Sequence, residues 1–153
     1  MNGKGRLLSL EFGIYEGEFA NSMKHGKGRF ASRDNETYEG SWVNDVRDGF
    51  GVEETKEKDK YEGHYSNDII NGEGIYTWNT GEKYSGMFVN GVQEGKGVMT
   101  YARGKVYEGE WRAGIPHGKG IFRYTDGSIY NGYIVDSKRH GEGILTWYGS
   151  ISV

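Results

Sequence analysis

Three histidines, His25, His117 and His140, stand at equivalent places of one regular pattern, and a ladder of imidazoles is the first arrangement that could do chemistry. Ligands of a single zinc ion lie about 2.0–2.1 Å from the metal. The pattern sets neighbouring copies two strands apart, about 9.6 Å at ~4.8 Å per strand, and His25 has Asp48 and Asn71 rather than histidines beside it. No metal site is expected, and His64 stands alone on a polar face. Paired glutamates (Glu16/Glu18, Glu108/Glu110) have the spacing of an acid and a base on one strand face. That face reads as exposed and without a pocket to desolvate them, so their expected role is solvation. Gly-x-Gly recurs but never extends to G-x-G-x-x-G, and no nucleophile elbow, H-E-x-x-H, EF-hand loop or P-loop occurs. The expectation is a chain without catalysis, cofactor or small-molecule substrate.

The elements that carry these residues follow from composition and period. Glycine supplies 27 of 153 residues, against one proline and no cysteine. The longest glycine-free stretch is 11 residues, so a long amphipathic helix would need interior glycines, each costing about 1 kcal/mol. No uncharged run exceeds 11 residues, short of the ~20 of a membrane helix. The N-terminus lacks the apolar stretch and cleavage site of a signal peptide, and a cytoplasmic location is expected. A net charge of -3 gives no general reason to bind nucleic acid.

Tyr15, Tyr38, Tyr61, Tyr84, Tyr107 and Tyr130 are each 23 residues apart. Counting each copy from its tyrosine, position 3 is glycine, position 5 is a large apolar residue (Phe19, Trp42, Tyr65, Phe88, Trp111, Ile134), and positions 12 and 14 are glycines. The repeats run 15–37, 38–60, 61–83, 84–106, 107–129 and 130–152, preceded by a partial copy over 1–14. Positions 1–5 alternate aromatic and polar, and positions 13–18 place β-branched residues at 15 and aromatics at 16 and 18, so each copy predicts two strands. A loop of six or seven residues is expected inside each copy, as over Val89–Gly95, and a shorter turn between copies, as at Asn79-Thr-Gly81. A single hairpin is marginal in water, so the copies must stack edge to edge, with position 5 facing 12, 3 facing 14, and 1 facing 16. The expected fold is all-β: consecutive antiparallel β-hairpins in an elongated, twisted single-layer ribbon with an aromatic-lined groove.

Tyr38-Glu-Gly-Ser-Trp42 with Gly49-Phe-Gly51, and Tyr107-Glu-Gly-Glu-Trp111 with Gly118-Lys-Gly120, resemble the MORN (membrane occupation and recognition nexus) repeat family. The resemblance spans residues 2–149 and implies an open β-ribbon that acts as a scaffold or adaptor, often cytoskeletal or membrane-proximal. The partner it implies is a protein segment in the groove or a second copy of the chain, as in a dimer. The groove residues expected to bind are Tyr38, Trp42, Tyr61, Tyr65, Tyr84, Phe88, Tyr107 and Trp111, with Trp78 and Tyr101 as neighbours. The competing expectation is a peripheral module that meets anionic phospholipid through Lys24, Lys27, Arg29 and Arg47, and through Lys138 and Arg139. Repeat two departs from the pattern with Glu53 and Thr55 in place of aromatics, which reads as a solvated, weaker strand. Ile134 replaces an aromatic in repeat six, where the groove is expected to fade. The ends fall mid-repeat without a cap, so the chain is expected to be part of a longer array or to pair through its ends.

Overall fold

The computed structural model describes residues 2–147; the close of the last repeat, 148–152, and Val153 lie outside them. From β1 (Gly3–Ser9) to β13 (Lys138–Thr146) the described residues form one antiparallel sheet of 13 strands, ordered as in the chain. Each repeat supplies a hairpin, such as β8 (Lys83–Val89) with β9 (Val92–Thr100) and β10 (Val106–Arg112) with β11 (Ile115–Arg123).

The expected loop inside each copy is replaced by a two-residue turn. Asn44-Asp45, Asn67-Asp68, Asn90-Gly91, Ala113-Gly114 and Asp136-Ser137 all have both φ angles positive. A left-handed pair is the type I′ geometry that matches strand twist, and Asn, Asp and Gly are the residues that adopt it most easily. The strands therefore run on to the turn, with Val89 opposite Val92 and Phe88 opposite Gln93. Each turn also donates to the copy before it: Gly91 N to Ile70 O at 2.7 Å, Gly114 N to Gln93 O at 3.0 Å.

Between repeats the register is the expected one: Trp111 faces Gly95, Gly109 faces Gly97, and Tyr107 faces Met99. Within a repeat it holds for Tyr107–Phe122 and Gly109–Gly120, then shifts so that Trp111 faces Pro116. The shift is a β-bulge, and Gly118 at φ +74 accommodates it in the left-handed region.

The core is built on glycine. A Cβ on Gly97 would lie 2.5 Å from the Tyr84 hydroxyl oxygen and 2.6 Å from two ring carbons, so the ring lies where a side chain would stand. The Tyr84 hydroxyl donates to Met87 O at 3.0 Å, and Tyr15, Tyr38, Tyr61, Tyr107 and Tyr130 repeat the bond three residues on. Edge-to-face contacts then join the copies: Tyr84 meets Phe88 of its own repeat at 5.0 Å and Trp111 of the next at 5.0 Å. Ile134 stays fully buried, so this core continues through repeat six.

Repeat two is not a weakened strand. Val46–Glu54 is continuous, and Glu53 is half-buried, accepting from Tyr65 Oη at 2.8 Å and pairing with Arg47. Arg47 also holds Asp68 at 3.0 Å, so a polar network takes the place an aromatic occupies elsewhere.

Candidate protein-binding face

One sheet face carries positions 1, 5, 10, 16 and 18. Its first two rows are closed: Tyr38, Trp42, Tyr61, Tyr65, Tyr84, Phe88, Tyr107 and Trp111 lie in the buried core, none more than 6% exposed. Their polar atoms are engaged as well. Trp42 Nε1 donates to Gly28 O at 3.1 Å and Trp111 Nε1 to Gly97 O at 3.2 Å. Burial pushes Tyr38, Tyr61, Tyr84 and Tyr107 up to about 12. Burial and then the Glu53 charge raise Tyr65 further. These eight rings hold the ribbon together.

Position 18 differs. Trp78 and Tyr101 are half-buried, and Tyr124 continues their row one repeat on. Trp78 leans on Tyr76 at 4.7 Å, and Tyr124 stacks on Phe122 at 5.9 Å. Among the described residues no partner accepts from Trp78 Nε1, Tyr101 Oη or Tyr124 Oη, whereas Tyr76 Oη donates to Asp59 at 3.1 Å. The result is a rail of three half-exposed rings whose donors have no acceptor among the described residues. Tyr124 was missing from the sequence-predicted site, although its recurrence with Trp78 and Tyr101 at one position was the available signal.

Cations cover much of the rest of this face. Lys24 Nζ lies 4.2 Å over Trp42, the Arg47 guanidinium 4.9 Å over Tyr65, and Lys105 Nζ 4.2 Å over Tyr101. Burial lowers the Lys24 ammonium's pKa, against the pull of Asp45.

The opposite face is hollowed rather than flat. Glu16, Glu18 and Glu39 line an open hollow of about 900 Å³ together with Lys4, Lys27 and Arg29. Arg6 pairs with Glu16 at 2.9 Å. The glutamates thus border an open concavity, correcting the exposed face without a pocket expected from sequence, and cations interleave with them. The basic residues considered for lipid are divided accordingly: Lys24 and Arg47 lie over rings of the aromatic face, and Lys27 and Arg29 line the other. Lys138 and Arg139 are exposed on β13, with Arg139 5.7 Å from the Tyr130 ring. No group of three metal-ligating side chains converges among the described residues.

No curated protein matches the sequence. Among solved structures, the SAS-4 (dCPAP) TCP domain of Drosophila melanogaster, determined in complex with a proline-rich motif of Ana2 (dSTIL), superposes with a TM-score of 0.50. It shares 14% identity over 93% of this chain and 82% of that one, a likeness of fold. The MORN repeat pattern matches residues 15–37, 38–56, 61–83, 84–106, 107–129 and 130–149. Six matches in phase with the tyrosine–glycine ladder cover nearly the whole chain, which belongs to the MORN repeat family.

Proposed function

We propose that this chain is a non-catalytic scaffold whose rail of Trp78, Tyr101 and Tyr124 binds an extended, proline-containing protein segment. The observation that carries the reading is the set of unengaged donors on three half-exposed rings, beside a core where every equivalent donor is engaged. Geometry favours a polyproline II occupant. Such a helix advances about 3.1 Å per residue with three residues per turn, about 9.3 Å. Successive rail rings are two strands apart, about 9.6 Å. Every third residue of the segment would meet a ring, and its carbonyls, which have no internal partners, would accept from the indole and phenols. The solved fold neighbour, which holds a proline-rich motif, lends support to this class of partner.

The test is a titration of the 15N-labelled chain with a nine-residue oligoproline. The Trp78 indole resonance is expected to shift while those of Trp42 and Trp111 stay, and Trp78→Ala/Tyr101→Ala to abolish binding in a folded protein. Shifts confined to other surfaces, or self-association or vesicle binding insensitive to the rail substitutions, would overturn the reading in favour of a second copy or anionic lipid.

A further inference from the structure

The aromatic face supplies its own cations unevenly. Position 10 provides Lys24 and Arg47 in the first two repeats and Arg139 in the sixth, each over a ring, but Ile70 and Gln93 in the third and fourth. Position 22 provides Lys105, whose ammonium lies between Tyr101 at 4.2 Å and Phe122 at 5.0 Å. One repeat earlier that same place holds Glu82, and two repeats earlier Asp59. Asp59 is engaged, accepting from Asn79 N at 2.8 Å and Tyr76 Oη at 3.1 Å. The Glu82 carboxylate accepts only from Thr80 Oγ1 at 3.3 Å and belongs to no ion pair among the described residues, while its backbone carbonyl accepts from Trp78 N at 3.0 Å. Its charge reaches the rail, since after burial it is the next cause raising the Tyr101 phenol.

At Tyr101 the ribbon therefore shows an aromatic step filled by its own ammonium. At Trp78 the equivalent step pairs the best cation-binding ring of the set with Glu82 in the place of Lys105, and no cation of the described residues lies over that ring. We infer that the partner supplies it: the segment bound on the rail carries a lysine or arginine among its prolines, and that cation seats over Trp78 beside Glu82. The inference rests on the rail as the binding surface and adds the sign and place of a charge. A cation that meets both a tryptophan face and an unpaired carboxylate gains about tenfold in affinity, and the advantage is salt-sensitive because the site is half-exposed. A second copy of the chain is a poorer fit, since the cations of its aromatic face already lie over its own rings.

The full chain is titrated with two nine-residue proline peptides that differ only at the central residue, arginine in one and glutamine in the other. Affinity is read by anisotropy and the contact by the Trp78 indole resonance. The arginine peptide is expected to bind about tenfold more tightly at low salt, with the gap closing as salt rises. Glu82→Gln should cut the gap to about threefold or less, and Glu82→Lys, which repeats the Lys105 arrangement, should abolish it. Equal affinities for the two peptides, or a gap unchanged by Glu82→Gln, overturn the charged slot and leave the rail standing. Failure of either peptide to move the Trp78 resonance overturns the rail and the slot together.

Discussion

Gly97→Ala is the substitution on which the account of the core turns. Its added Cβ would meet Tyr84 atoms at 2.5–2.6 Å, where carbon atoms are at ease near 3.5–4.0 Å, so the ring must lift by about 1 Å. Lifting breaks the bond to Met87 O, about 1 kcal/mol, and loosens the contacts with Phe88 and Trp111, about 0.5–1.5 kcal/mol each. The expected loss is about 3 kcal/mol, read as a lower urea midpoint at unchanged slope. Because all the nearest atoms belong to one side chain, the cost should vanish once that side chain is gone. In a Tyr84→Ala background, itself destabilised by about 3–5 kcal/mol, Gly97→Ala should be neutral. Gly86→Ala is the control, because its Cβ meets Gly97 Cα at 2.6 Å and Lys96 O at 2.7 Å, and backbone cannot be deleted. Equal cost for Gly97→Ala with and without Tyr84 would refute the proposition that these glycines exist to seat a ring.

Other substitutions test neighbouring points. Lys58 occupies a left-handed turn position at φ 71 where later repeats use Gly81, Gly104 and Gly127; Lys58→Gly should raise the melting midpoint, by about 1 kcal/mol of relieved backbone strain. Arg47→Ala alone should destabilise by about 3 kcal/mol by stranding Glu53, whereas Arg47→Ile with Glu53→Met, copying Ile70 and Met99, should be neutral or stabilising in the same melts. Tyr38, Tyr61, Tyr84 and Tyr107 have folded values near 12 against 10.0 when free. A raised phenol favours the folded state fully below pH about 10 and loses that contribution as pH climbs to about 12, about 1.4 kcal/mol per ring at pH 11. Four rings lose about 5.5 kcal/mol there, so tyrosinate absorbance and loss of circular dichroism should rise together near pH 11. A tyrosinate curve that completes while the sheet is intact would contradict this.

The repeat, the strand pairs, the register across repeats and the identity of the core rows were all legible, because each rests on a residue type recurring at a fixed position. The turn was read as a loop because residues such as Asp48 and Asn71 flanking the turns are as polar as the turn residues themselves. Only the backbone angles show that two residues suffice. Glu53 reads as a solvated break on composition, yet Arg47, six residues away on the same strand, and Tyr65, twelve away on the next, enclose it. Which rings are spare was also hidden. Trp42 and Trp78 look alike in sequence, and what separates them is a carbonyl that accepts from one indole, whereas no described residue accepts from the other.

The strict sequential order of the strands has a consequence in time. Every strand pairs only with the segments just before and after it, so the loops that must close during folding are short, and short loops close quickly. A hairpin leaving the ribosome finds its docking edge already formed and has nothing to await from residues not yet made. Its growing end is always an open strand edge, covered when the next 23 residues arrive. Assembly and translation can therefore keep step, one Tyr–Gly latch at a time.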